Sequence, residues 1–158
     1  MTSRGHFYGL SLDSSRPIPG GRFRSPTVGA PPPDVLVHWG APYPDQPEDW
    51  VPFYVSDETD DTGQAMFRIE HGGPSSGPLR LSYADGTTFW IRRGHPNSAD
   101  EIWATWPDSL TSEDASTYFL GPVLGYVLRM HGQVVLHASA VGVAPRHDSA
   151  STDEGVIA

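Results

Sequence analysis

The chain has 158 residues, with 10 basic residues against 19 acidic ones and a net charge of −9 with histidine neutral. That length suffices for one domain with a real core, burying about 68–70% of the unfolded surface. The acidic balance and scattered arginines leave no phosphate-backbone footprint, which argues against nucleic acid as a partner. There are no cysteines, so a disulfide framework and a thiolate metal site are both excluded. Gly (17) and Pro (16) are over-represented, which favours strands and loops over a helical bundle.

The start, Met1-Thr-Ser-Arg-Gly-His-Phe-Tyr8, lacks the basic head and apolar centre of a signal peptide, and no run approaches the ~18 apolar residues of a membrane span. A soluble, cytoplasmic protein without membrane association is expected. Residues 7–13 alternate weakly and predict a first strand. Residues 14–33 are rich in Pro and Gly, including Pro31-Pro32-Pro33, and predict a long loop or extended crossing. Asp34 to Trp39 reads as a β-branched strand stopped by Gly40. An acidic, Pro-rich loop, Ala41 to Asp49, leads to Trp50–Val55, where Pro52 suits only an edge strand. Four carboxylates within Asp57–Thr62 read as a solvated turn, since the glycine-punctuated pattern of a calcium loop is missing.

Ala65–Glu70 predicts the next strand. Leu79–Tyr83 and Thr87–Arg92 flank Ala84-Asp85-Gly86, a hairpin in which Gly takes the positive φ the turn demands. Glu101–Trp106 completes seven strands and a mainly antiparallel β region. Thr111 or Ser112 then caps a helix with Glu113 and Asp114 in its first turn. Gly121-Pro122 should interrupt it, with a second helix carrying Val123, Leu124, Val127, Leu128 and Met130 on a buried face and Gly132 as its stop.

Val134 to Val143 is a nearly continuous apolar run, as expected of a strand covered on both faces. It carries His137, either a core histidine satisfied by the backbone or a site residue near the sheet edge, and Ser139, read as a packed small residue. Pro145 to Glu154 reads as an exposed connection, and Gly155-Val-Ile-Ala158 as the start of a returning strand. That ending suggests an incomplete piece of a larger protein. His38, His71, His95, His131 and His147 sit on separate elements without zinc-pair spacing, no Gly-x-Ser-x-Gly elbow is present, and Trp39, Trp50, Trp90, Trp103 and Trp106 read as core more than as a ligand platform.

The segments Thr111-Ser-Glu-Asp-Ala115, Leu120-Gly-Pro-Val-Leu-Gly125, Leu128-Arg-Met-His-Gly132, Leu136-His-Ala-Ser-Ala-Val141 and Gly155-Val-Ile-Ala158 resemble the approach to the phosphate-binding loop of bacterial HPr kinase-related proteins. The hairpin Tyr83–Ile91 and Trp106-Pro107 fit the front of the same group, so the resemblance covers about 79–158. It implies an α+β chain: a mainly antiparallel β-rich region (1–109), then the start of a PEP-carboxykinase-like, HPr kinase-like nucleotide-binding core (110–158), with helix 112–131 and the first strands, cut short. It also implies an ATP- and Mg2+-dependent serine kinase acting on a protein or peptide Ser, with His137 as the candidate catalytic residue beside the nucleotide. In the family the returning strand enters Gly-x-x-x-x-Gly-Lys-Ser/Thr, whose amides, Lys and hydroxyl serve phosphate and magnesium. The present sequence holds no lysine and no such loop, so no cofactor site is expected in this chain and it is expected to be inactive alone. The alternative is a non-catalytic binding or assembly module or a degenerate shortened relative; homo-oligomerisation stays open.

Overall fold

The computed structural model describes residues 2–73 and 77–135. Its centre is a nine-stranded sheet in the order β3-β1-β2-β4-β9-β8-β7-β6-β5. The strands are β1 (Ser3–Phe7), β2 (Leu10–Ser14), β3 (Phe23–Arg24), β4 (Val35–Trp39), β5 (Trp50–Val55), β6 (Phe67–Gly72), β7 (Leu79–Tyr83), β8 (Thr88–Arg92) and β9 (Asp100–Thr105).

The stretch 7–13, expected as one strand, is a hairpin instead. Tyr8 (φ 53°) and Gly9 (φ 89°) both take the left-handed conformation, the signature of a tight turn matched to strand twist, and β1 folds back on β2 with Phe7 opposite Leu10. Arg4 then faces Asp13 across the ladder and grips its carboxylate at 2.6 and 2.8 Å. The two-residue β3 was not foreseen either; Phe23 pairs opposite Gly5 and packs its ring 5.5 Å from Phe7. The predicted hairpin over Asp85-Gly86 is present. Gly86 has φ 91°, its N–H donates to the Tyr83 carbonyl, and the Asp85 carboxylate accepts the Thr87 N–H at 2.8 Å.

The sheet is mainly antiparallel, as expected, but mixed. β4 lies parallel both to β2 and to β9, while the other ladders are antiparallel. Parallel neighbours need long connections. The Pro-rich segment between β2 and β4 supplies one, dropping Ile18 into the core on the way, and the β5–β8 meander supplies the other. Pro52 stands in β5, which is the outermost strand, as its missing N–H requires.

Thr111 caps the helix. Its hydroxyl accepts the Asp114 N–H while the Asp114 carboxylate accepts the Thr111 N–H at 2.9 Å, a reciprocal capping box. Pro122 does not split the helix as expected. α1 (Ser112–Tyr118) passes through a π turn (Phe119–Val123) into α2 (Leu124–Met130), and the Leu124 N–H reaches back to the Phe119 carbonyl. The wider turn accommodates the amide that proline cannot donate. Ala115, Phe119, Val123, Leu124 and Val127 are all fully buried and share one core with Leu12, Val35, Val37, Leu81, Phe89 and Ile102 of the sheet.

Val134 and Val135, the first residues of the run expected as a strand, are irregular and exposed; the remainder of that run, with 136–158, lies outside the described residues. No helix among the described residues is long and apolar enough to cross a membrane.

Phe119 sits edge-on to Trp39 at 5.5 Å and 6.4 Å from Phe89. Phe119→Ala should therefore lower the unfolding free energy by about 3–5 kcal/mol, read as a lower urea midpoint at unchanged slope.

Candidate functional site

The sheet face away from the helix holds most of the chemistry of the described residues. Strand alternation puts His38 on it between inward Val37 and Trp39, Glu101 and Trp103 on it beside inward Ile102, and Trp90 and Arg92 on it beside inward Ile91. The parallel register pairs His38 with Trp103 and Leu36 with Glu101, bringing together residues more than sixty positions apart. The loop Ala41–Asp49 lays Tyr43 over this face. Tyr43, Trp90 and Trp103 form a small second core, with Ala41 and Trp50 packed against it.

Glu101 organises the polar part. One carboxylate oxygen accepts from Arg92 at 2.6 Å and the other meets His38 Nε2 at 3.1 Å. The His38 ring lies flat on Trp103, with centroids 4.6 Å apart, and the Arg92 guanidinium stands 5.2 Å from the Trp103 ring centre. Burial by itself would raise the Glu101 carboxyl, but the hydrogen bonds from Arg92 and then His38 outweigh it and hold the group below the ordinary carboxylate range. The bond to Glu101 likewise raises the Arg92 guanidinium. A second ion pair, Arg80 to Glu70 at 2.7 Å, stacks the Arg80 guanidinium 4.3 Å from the Trp50 ring.

This constellation orients charge; it does not assemble a nucleophile. Both Glu101 oxygens are engaged, which makes the carboxylate a weak base, and the hydrogen bond of His38 goes to Glu101, with no hydroxyl of the described residues in line as a nucleophile–base pair requires. Among the described residues no three His, Asp or Glu side chains converge to hold a metal ion.

A second cluster fixes the end of α2. His131 Nε2 meets the nearly buried Asp100 at 2.9 Å, Asp100 also accepts the Gly94 N–H, and Arg93 donates to the Met130 carbonyl. Nearby Asp34 accepts the Ser11 N–H and hydroxyl, both at 2.7 Å. The backbone bond from Ser11 leads in holding the Asp34 carboxyl below its usual value, with the His131 charge helping. Beside α2 an open groove of about 780 Å³ is lined by Gly121, Pro122, Gly125, Tyr126, Val134 and Val135.

His137, the candidate catalytic residue, and Ser139 lie outside the described residues. His38, His71, His95 and His131 are on separate elements, and Trp39, Trp90 and Trp103 are buried, so they offer no open aromatic platform. The His38–Glu101–Arg92 group was missed. The alternation of Val-Leu-Val-His-Trp shows that His38 faces away from Val37, but its partner depends on a long-range parallel register that no local pattern encodes.

Comparisons with protein-family models, with curated proteins and with solved structures give no match to this chain.

Asp34 and Glu101 both titrate below their ordinary values of 3.8 and 4.5. A carboxyl lowered in the folded state stabilises fully above its unfolded pKa, and that stabilisation disappears as pH falls through the folded value. The melting temperature should thus be level above about pH 5 and decline below about 4.5, and Glu101→Gln should lessen the decline while costing about 1 kcal/mol or less at neutral pH, because the pair is partly exposed.

Proposed function

We propose that this chain is the front portion of an HPr kinase-like, ATP-dependent serine kinase that phosphorylates a Ser of a protein or peptide, that the β region 1–109 serves it as an accessory or substrate-recruiting module, and that the chain has no phosphoryl-transfer activity of its own. The observation that carries this reading is the sequence from Thr111 to Ala158, above all Leu136-His-Ala-Ser-Ala-Val141. Support also comes from the anchoring of the helix. Tyr118 and His131 hold it to Asp85 and Asp100 at the two ends, in the segment that directly precedes Leu136 in sequence. In the proposed kinase His137 lines the nucleotide site.

Phosphoryl transfer relies on positioning and on neutralising charge at the phosphates. The chain has no lysine and no Gly-x-x-x-x-Gly-Lys-Ser/Thr loop, and the described residues do not bring together ligands for Mg2+. No step of the transfer is therefore assigned to them. A non-catalytic binding module is the second reading, favoured by the exposed apolar strand β5 at the rim of the sheet.

Two measurements test the proposal. Codons beyond Ala158, in this frame or a shifted one, should encode the glycine-lysine phosphate loop; a stop with no remnant of it would remove the kinase reading. Calorimetric titration of the 158-residue chain with Mg-ATP should give no saturable heat, and a micromolar dissociation constant would contradict the assignment of the described part as non-catalytic.

A further inference from the structure

The strand β5 ends the sheet, and no described element pairs with its outer side. An edge strand presents unpaired N–H and C=O groups to any extended chain that approaches. Charge within the strand, proline and bulges are among the devices that blunt an edge. This one is Trp50-Val-Pro-Phe-Tyr-Val55, without a charged residue, and Val51 (47%), Phe53 (68%), Tyr54 (50%) and Val55 (43%) are four successive or near-successive exposed apolar side chains among the described residues. The register with β6 shifts between Pro52 and Tyr54, an irregularity of the kind that bends a strand locally. Pro52 removes one donor and leaves the other backbone groups of the rim in place.

The charge surrounding this strand defines what fits it. Exposed Asp45, Glu48 and Asp49 precede β5, and exposed Asp57, Glu58 and Asp61 follow it. The Asp60 carboxyl in the same turn is held low, first by the Thr62 hydroxyl and then by the Gln64 N–H, which keeps it ionised. The nearest cation on the adjoining strand is Arg68, opposite Val55. A second copy of the chain paired along β5 would set these carboxylates against their own kind, in molecules of net charge −9. Like charges within a Debye length of about 10 Å oppose such a pairing, and a cationic partner is favoured by the same field.

We infer that the β5 edge is a docking strand for an extended peptide segment with apolar residues at alternate positions and Lys or Arg at its ends. The backbone adds a tenth strand to the sheet, alternate apolar side chains lie beside Tyr54 on the face it shares with Phe67, and the basic ends meet the two acidic loops. Docking of this kind stands on the edge strand itself and holds under either functional reading.

The test uses the full 158-residue chain and a fluorescent probe peptide, Lys-Lys-Val-Thr-Val-Thr-Val-Lys-Lys, with a control in which Glu replaces each Lys. The Lys-flanked peptide should bind at least about ten-fold more tightly than the control, and should weaken about ten-fold when salt rises from about 50 to about 500 mM. Hydrogen exchange should slow on binding at the amides of β5. Asp57→Asn/Glu58→Gln/Asp61→Asn, which neutralises one of the two acidic loops, should remove about half of the salt dependence, and Phe53→Ser should weaken binding at both salt levels. Equal binding of the two peptides, no binding of either, or protection confined to another strand would overturn the inference. So would sedimentation as a dimer that Phe53→Ser dissociates, which assigns the edge to a second copy. The peptide comparison and the exchange measurement need no variant, so they decide the matter even where a substitution unfolds the protein, and neither depends on the outcome with Mg-ATP.

Discussion

The seating of the helix on one face of a partly parallel sheet is the constraint on which the rest of the structure depends. β2, β4 and β9 run parallel at its centre, and parallel strands are usually covered on both faces. Phe119, Val123, Leu124 and Val127 cover one face, and the loop carrying Tyr43 covers the other over Trp90 and Trp103. Each large side chain so buried contributes about 1.5–3 kcal/mol relative to exposure. Without the helix, Leu12, Val35, Val37, Phe89 and Ile102, each essentially inaccessible in the folded protein, would face water together.

The π turn and the tethers at the helix ends serve that seating. A break at Pro122 would swing Leu124, Val127 and Leu128 away from the face set by Ala115 and Phe119; widening the turn keeps both halves on one core. Tyr118 donates to Asp85 at 2.8 Å and stacks 3.9 Å from Tyr83, joining α1 to the β7–β8 turn. Burial leads in pushing the Tyr118 hydroxyl up to about 12, followed by its bond to Asp85, so at neutral pH the phenol is a dependable donor. At the other end Arg93 donates to the Met130 carbonyl, where a cation opposes the partial negative charge of the helix C-terminus, and the capping His131 meets Asp100. With the helix fixed on one side and Tyr43 sealing the other, the rim at β5 is left as exposed apolar surface, and it lies at the far end of the sheet from β3.

Local chemistry made much of the fold legible. Asp85-Gly86 fixed a hairpin, Thr111 with Asp114 fixed a helix start, and Pro52 marked an edge, because each acts within a few residues. The Tyr8-Gly9 turn escaped notice because tyrosine rarely takes a positive φ, and β3 because two residues carry no period. The parallel pairing of β4 with β9, and with it the His38–Glu101–Arg92 group, depends on topology and has no local signature. The acidic loops around β5 were legible as solvated turns. What they flank became visible only once β5 was placed at the rim with Phe53 and Tyr54 exposed. The sharpest element of the family resemblance, Leu136 to Val141, and His137 within it lie outside the described residues, so the proposed kinase reading continues to stand on sequence.

The most direct measurement is native-state hydrogen exchange of the full chain as a function of denaturant. If the helix is the cover that holds the mixed sheet together, amides of Ala115 to Leu128 and those of β4 and β9 should open in one cooperative event with a common free energy. Helix amides that exchange at a free energy about 2 kcal/mol or more below those of the central strands would contradict the account, because the sheet would then persist without its cover.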